Sequence, residues 1–194
     1  MSPVSVRDSE DADIDAITHI YGHWVQHGLA SFELTPPDAD EIRRRRAAVL
    51  AGGYPHVVAA GEDGSVLGYG YAGPYRTRPA YRFACEDSVY VAPDAGRRGI
   101  GRSLLQALIA RCAARGLRLL VAIIGDSQNE PSIGLHKALG FEPAGVLPAI
   151  GWKHGRWVDT VLMVRALGAG SSAPPVQRSD EAGTFRTACG PSTP

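Results

Sequence analysis

A carboxylate, a run of strand-forming residues and a basic, glycine-rich turn follow one another in EDSVYVAPDAGRRGIGR, residues 86–102. Glycines at 96, 99 and 101 let backbone amides come close to a ligand without Cβ obstruction, and Arg97, Arg98 and Arg102 add positive charge. A helix beginning near Gly101 carries Leu104, Leu105, Leu108, Ile109 and Cys112 on its apolar side. Its free first-turn amides and positive dipole end favour pyrophosphate. The pattern suits a small enzyme that holds an anionic cofactor at a helix start. It contains no GxxxxGK[ST] sequence and no full GxGxxG fingerprint, which argues against a P-loop and against a dinucleotide-binding Rossmann site.

Other residues with chemical potential have plainer readings beside the functional one. Cys85 adjoins the acidic pair but reads mainly as a buried small hydrophobe. His19, His23 and His27 recur every four residues and could in principle hold a metal, but nothing nearby completes a site, so they read as a solvated or partner-facing stripe. Arg43 to Arg46 reads as a salt-bridged face; the run is short and lacks an aromatic stacking series. The loop YRTRPAYR, residues 75–82, holds three arginines and two tyrosines, and its guanidinium forks could grip a carboxylate or phosphonate. His136 could be core, a surface hydrogen-bonder or a proton donor, and Asn129 could cap a helix or reach a ligand.

These residues need a scaffold of alternating elements. The periodicity predicts a strand at Val4 to Arg7, then a helix capped by Asp11 or Asp13 with Ile14, Ile17, Ile20, Tyr21 and Trp24 on one face. GLASFELTPP reads as a loop, and Asp38 with Glu41 as a capping box for a second helix. His56 to Ala60 and Val66 to Ala72 form a hairpin across GEDG, with Gly68 and Gly70 marking a bulge or a close backbone approach. Strands follow at Phe83 to Val91 and Leu117 to Ile124, then a short helix with Pro131 in its first turn and Gly140 as its stop. The last strands are expected at Gly145 to Ile150 and Val158 to Arg165, with GWKHGRW as the turn between them. That turn reads as a plain hairpin loop, a substrate wall or a dimer edge.

The chain has 194 residues, 44% of them hydrophobic, enough for one core. Twenty basic and twenty acidic residues cancel, so no bulk attraction to nucleic acid or an anionic membrane is expected. No apolar run reaches a membrane span, and MSPVSVRDSED has no secretory pattern, so a cytoplasmic protein is expected. Three cysteines without ligand spacing agree with a reducing compartment. One domain is expected over 1–167, and 168–194 reads as a Gly/Pro/Ser-rich tail.

Five segments together resemble the phosphinothricin acetyltransferase branch of the GCN5-related N-acetyltransferase superfamily: EDSVYV at 86–91, RRGIG at 97–101, VAIIGDSQNEPS at 121–132, LHKALGF at 135–141 and GWKHGRWVDTVLM at 151–163. The resemblance spans much of residues 4–167. It implies an α/β fold with a central mixed, mostly antiparallel sheet flanked by helices, a splayed cleft for acetyl-CoA, and a homodimer. Glu86 matches the family's catalytic carboxylate, which takes the proton from the acceptor ammonium. Val89, Tyr90 and Val91 would hold the pantetheine arm, with the amide near Val91 facing the thioester oxygen, and Arg97, Arg98, Gly99, Ile100, Gly101, Arg102 and Ser103 would surround the pyrophosphate. Asn129, Ser132 and His136 match cofactor-side residues, and His136 is the candidate acid for the departing thiolate. Asp87 is assigned structural work. The family usually has Gln or Arg where this chain has Gly96.

For the acceptor, the resemblance suggests a small amino-acid-like amine such as phosphinothricin or methionine sulfone or sulfoximine. Arg76, Arg78, Tyr81 and Lys153 have the chemistry to bind its charged groups, and Phe32 and Glu33, with Ser31, would border it. A peptide or protein N-acetyltransferase and a catalytically quiet acetyl-CoA-binding module are the alternatives.

Overall fold

The computed structural model describes residues 4–175. Seven strands form one mixed sheet: β1 (Ser5–Asp8), β2 (His56–Ala60), β3 (Val66–Pro74), β4 (Ala84–Val91), β5 (Leu119–Gly125), β6 (Glu142–Lys153) and β7 (Arg156–Ala166). Their spatial order is β1-β2-β3-β4-β5-β7-β6. Every neighbouring pair is antiparallel except β4 and β5, which run parallel because a helix connects them. Four helices cover the sheet: α1 (Ile14–His27), α2 (Ala39–Ala51), α3 (Ile100–Ala114) and α4 (Glu130–Ala138).

The alternation of β3 decides which helix lies on which face. A Cβ at Gly68 would come 3.1 Å from Ile100 and 3.2 Å from Leu104, and one at Gly70 would come 3.2 Å from Leu108, so the glycine face of β3 carries α3. The other face carries Tyr69 and Tyr71, both stacked with His56, and Tyr69 also stacks on Tyr90. Tyr21 of α1 meets Tyr90 edge-on at 5.0 Å, which puts α1 on this opposite face. Both glycines expected to mark a bulge or a close approach mark the close approach of α3, and Gly68 also borders a bulge, because Ala59 of β2 pairs with Gly68 but Ala60 pairs with Val66, which leaves Leu67 of β3 as the extra residue.

Burial supplies the driving force on both sides. Ile14, Ile17, Ile20, Tyr21 and Val25 of α1 pack with Ile42 of α2 and the central strands. Leu105 and Cys112 of α3 pack with Leu120, Phe141 and Met163 in a second cluster. The arginine run of α2 is the ion-paired face expected: Arg43 pairs with Asp40 at 2.5 Å, Arg45 with Glu41 at 2.6 Å and Arg46 with Asp11 at 2.6 Å.

Two local expectations need correction. Asp13 stands at the N-cap of α1 as expected, but its side chain makes no cap bond to that helix; it is buried and accepts two 2.7 Å bonds from Arg7, whose hydrogen bonding holds its carboxyl below the usual carboxylate range. The seven-residue turn expected at GWKHGRW is only His154 and Gly155, because both adopt positive φ, 50° and 73°, and close a two-residue hairpin. Trp152 and Trp157 are consequently cross-strand partners, 5.2 Å apart edge to face, within longer strands. The expected tail falls mainly on residues 176–194, outside the described residues. Its first part lies against the domain, with Arg118 donating to the carbonyls of Ala173 and Pro174.

The packing of α3 on β3 predicts that Gly68→Val destabilises the fold by about 1–3 kcal/mol, the range for overpacking a filled core. A lower urea midpoint at unchanged slope is the expected readout, since the new Cβ would sit 2.9 Å from the Tyr90 carbonyl.

Candidate active site

The parallel pairing of β4 and β5 stops early. Its register runs from Ala84↔Leu119 to Asp87↔Ala122, although β4 continues to Val91 and β5 to Gly125. Beyond that point each strand follows its other neighbour: β4 stays paired with β3 as far as Val91, and β5 with β7 as far as Gly125. The two halves of the sheet therefore splay into a cleft of about 240 Å³, lined by Ser88–Val91 on one wall and Ala122–Gly125 on the other. Asn129, Ser132, Leu135 and His136 of α4 and Gly101 of α3 complete it. One edge of β4 past Asp87 has lost its strand partner, so its backbone groups, apart from the Val91 carbonyl that the Trp24 indole takes, are left to bond an extended amide-bearing chain.

The entrance has the charge and geometry expected for an anion. Arg97 holds a positive φ of 60° and Gly99 one of 77°, which turns the chain directly into α3. Arg97, Arg98 and Arg102 are exposed around the first turn of that helix. Ile100 is buried in the core, so its side chain serves packing and it can offer a ligand only its first-turn amide. A Cβ at Gly96 would touch nothing within 4 Å and its φ of −60° is ordinary, so nothing in the backbone requires glycine there.

Alternation along β4 separates the acidic pair. Asp87 pairs across to Ala72 and shares the α3 face with Val89 and Val91, whereas Glu86 pairs to Gly73 and shares the α1 face with Ser88 and Tyr90. Glu86 is half-buried and its pKa is pushed up to about 7, by burial first and then by the charge of Asp87, with Arg76 opposing. A carboxyl poised there can exchange protons near neutral pH. Asp87 is buried against His136, whose Nε2 lies 3.1 Å from Asp87 Oδ2 and whose Nδ1 lies 2.7 Å from the Ser132 carbonyl. Asn129 is the N-cap of α4: its Oδ1 accepts from the Ser132 amide and its Nδ2 donates to the Gly125 carbonyl, so it holds the end of β5 to the start of α4.

The α1–α2 loop closes the α1 side. Tyr21 Oη lies 3.0 Å from Ser31 Oγ and donates to Glu33 at 2.9 Å, while Arg45 donates to Glu33 at 2.6 Å. Glu33 is thus already paired within the loop. Lys153 is buried and donates to the Ser31 carbonyl at 2.6 Å, so its ammonium braces this loop instead of standing open to an acceptor. Burial lowers its pKa, with Glu33 opposing. Phe32 is exposed, with its ring against Gly151. Burial first, and also the charges of Glu86 and Glu33, raise the pKa of Tyr71 on the α1 face. Arg76, Arg78 and Tyr81 are exposed on the segment after β3; of these, the charge of Arg76 reaches Glu86, and Tyr81 packs edge-on against Tyr75.

Trp24 is a cleft residue that periodicity assigned only to the apolar face of α1. Its indole donates to the Val91 carbonyl at 2.8 Å and lines the cleft, a placement that appears only when α1 docks on β4. Ala30 likewise reaches the cleft wall because Gly125 has no side chain; a Cβ there would collide with the Leu29 carbonyl.

The model of the Acetyltransferase (GNAT) family matches residues 21–141, which include the second half of α1, the splayed strands, the basic turn and α4. The chain belongs to this family. It is 56% identical to a phosphinothricin N-acetyltransferase of Alcaligenes faecalis, over 88% of this chain and 86% of that one. It is 42% identical to an L-methionine sulfoximine/L-methionine sulfone acetyltransferase of Pseudomonas aeruginosa, over 88% and 98%. Among solved structures, a phosphinothricin acetyltransferase from Sinorhizobium meliloti in complex with acetyl-CoA superposes with a TM-score of 0.88 at 46% identity, covering 91% of this chain and 95% of that one. As a GNAT enzyme the chain is an acetyl-CoA-dependent N-acetyltransferase, and the cleft meets the needs of that donor: a free strand edge for an amide-bearing arm and a basic helix start for pyrophosphate.

The raised pKa of Glu86 has a signed consequence. Its folded value lies above the ordinary 4.5, so the protonated form favours folding, and that contribution is lost as pH rises through about 7. Wild type should therefore lose stability relative to Glu86→Gln between about pH 5 and about pH 8, read from paired urea melts. The acid limb of kcat/KM should fall near pH 7 and disappear from the residual activity of the variant.

Proposed function

We propose that this GNAT enzyme moves the acetyl group of acetyl-CoA to the primary amine of a small amino-acid-like acceptor, with phosphinothricin and methionine sulfone or sulfoximine as the reference compounds. The observation that carries the reading is the two-sided gap in the sheet: Glu86 stands on the face of the braced α1–α2 loop, while the cofactor cleft opens toward α3 and α4. Acetyl-CoA supplies an activated thioester. Glu86 takes the proton that must leave the acceptor ammonium, because only a neutral amine attacks an acyl carbon. A free β4 amide near Val91 donates to the thioester oxygen as charge builds there. Val89 to Val91 hold the pantetheine arm through backbone groups, and the Arg97 to Ser103 segment receives the pyrophosphate. Asn129 orients α4 on that cleft, with Ser132 and His136 on its cofactor side.

Acceptor recognition follows from the same arrangement. Arg76 is the cation whose field reaches Glu86, so it is the first choice for the acceptor's carboxylate or phosphinate, with Arg78 and Tyr81 on the same segment. Phe32 borders the side chain, and Glu33 and Lys153 act by bracing the loop. The relatives' names favour this small-acceptor reading over a peptide acceptor.

We also read the protein as a homodimer in a reducing, cytoplasmic setting. β6 is a twelve-residue edge strand, exposed along nearly its whole length, and Val146, Ile150, Trp152 and Trp157 are each more than half exposed. A long apolar edge of this kind is an aggregation hazard unless it is covered, and a second copy would cover it by symmetry. Cys85 and Cys112 are free thiols, and among the described residues no helix is long and apolar enough to cross a membrane.

Release of CoA measured against a panel of phosphinothricin, methionine derivatives, other primary amines and short peptides should be fastest with the small amino-acid analogues; a peptide preference would overturn the acceptor assignment. In the same assay Glu86→Gln should lose about 100-fold or more in turnover, the scale of general-base catalysis. In sedimentation velocity the wild type should run at twice the 20.6 kDa chain mass, and a Val146→Lys/Ile150→Lys variant should return to the monomer.

A further inference from the structure

Three rungs of the β3–β4 ladder face α1, and they empty in the direction of Glu86. Tyr69 pairs with Tyr90, Tyr71 with Ser88 and Gly73 with Glu86. Side chains directly opposite each other in an antiparallel pair stand on one face of the sheet. The first rung is filled by two stacked rings, 5.3 Å apart. The second holds one ring, stacked on His56 at 5.5 Å, and a small hydroxyl. In the third, β3 contributes no side chain, and Glu86 stands beside bare backbone.

Glycine at 73 lacks the structural cause that operates elsewhere in this strand. A Cβ at Gly68 or Gly70 would press on α3, whereas one at Gly73 would meet nothing within 4 Å. Gly73 does not have a positive φ, and Pro74 after it holds it to the extended region that any residue adopts. The β2 ladder ends at Tyr71, because β2 begins with His56, so no strand residue of β2 lies opposite position 73. Glycine inside a strand is destabilising relative to alanine. A position that could hold alanine without strain and holds glycine instead points to a ligand that needs the room.

The neighbours say which ligand. Glu86 is half-buried, and what acts on its carboxyl is burial, the charge of Asp87 and the charge of Arg76. Asp87 is on the other face and engaged by His136, whereas Arg76 is exposed. Gly73 is the cross-strand partner of Glu86 and stands three residues before Arg76. An α-amino acid carries its ammonium and its carboxylate on one carbon. With the nitrogen about 2.6–3.2 Å from Glu86 and the carboxylate on Arg76, that branched carbon comes over position 73.

We propose that Gly73 is a specificity-determining residue of the acceptor site: the space left by its missing side chain seats the branched, nitrogen-bearing carbon of an α-amino acid beside Glu86. The proposal rests on the small-acceptor reading above. A methyl group at 73 takes the place of one substituent on that carbon. It therefore excludes an amine whose nitrogen-bearing carbon has two carbon substituents and spares one whose carbon has a single substituent. The donor cleft lies along the opposite edge of β4, toward β5, so the change does not reach acetyl-CoA.

The test uses two acceptors that differ at that carbon alone, methionine sulfone and 3-(methylsulfonyl)propylamine, the same molecule without its carboxylate. Gly73→Ala should keep or raise the wild-type urea midpoint, since its Cβ meets nothing and glycine is the weaker strand former. Its kcat/KM for methionine sulfone should fall on the order of 10-fold to 100-fold, chiefly through KM, while kcat/KM for the unbranched amine and KM for acetyl-CoA stay within about 3-fold of wild type. Calorimetry supplies an arm without turnover: with CoA present, methionine sulfone should bind Gly73→Ala on the order of 10-fold or more weakly than wild type, and CoA itself equally. A folded Gly73→Ala with wild-type KM and affinity for methionine sulfone, or with equal losses for the two amines, would overturn the proposal alone. A wild type that neither binds nor acetylates methionine sulfone, yet acetylates peptides, would overturn the small-acceptor reading and the proposal with it.

Discussion

The constraint on which the site depends is that β4 and β5 cannot stay paired. Each is claimed on its far side by an antiparallel partner, β4 by β3 through Val91 and β5 by β7 through Gly125, and the parallel ladder between them ends after Asp87↔Ala122. A twisted sheet that divides in this way leaves backbone groups on one edge of β4 without a strand partner inside the protein, apart from the Val91 carbonyl, which the Trp24 indole takes. Such groups are costly when buried and bare, so the gap is a standing site for a chain of amides. The basic turn into α3 then adds a positive helix end at the entrance to the same gap.

Division of the sheet also gives the reaction two sides. Strand parity puts Glu86 toward α1 and Asp87 toward α3, so neighbouring carboxyls meet different solvent, different charges and different partners. Glu86 titrates near neutrality because burial and Asp87 both resist its charge while Arg76 only partly relieves it. Asp87 is committed to His136. The acceptor side is stiffened by a small polar truss in which Tyr21, Arg45 and Lys153 all converge on the Ser31–Glu33 loop. A buried lysine held by one carbonyl is costly to desolvate, and its retention here is tied to keeping that loop against β6.

Much of the element order was legible before the fold was known. The period-2 runs of β2 and β4 and the 3.6-residue period of α1 and α3 lie within a few residues of their observed limits, because each element buries one face and its composition records that face. The basic turn before α3 was legible for a different reason: glycine and arginine at that spacing have few structural uses other than bringing amides and charge to a helix start. The hairpin between β6 and β7 was misread because His154 takes a left-handed conformation that a sequence pattern built on glycine and asparagine does not flag.

The sequence by itself determined the chemistry available: a carboxylate beside a strand, a basic helix start, the apolar periods and the family pattern that joins them. Only the tertiary structure decided how those groups divide. Lys153 turned from a free cation into a loop brace because it meets Ser31 across 122 positions of chain. Trp24 became a cleft residue through Val91, and Asp87 became the partner of His136, 49 positions away. Contacts of that separation are set by which strands pair and where the pairing ends, and local sequence carries periodicity and charge but no record of the distance between two faces of a sheet.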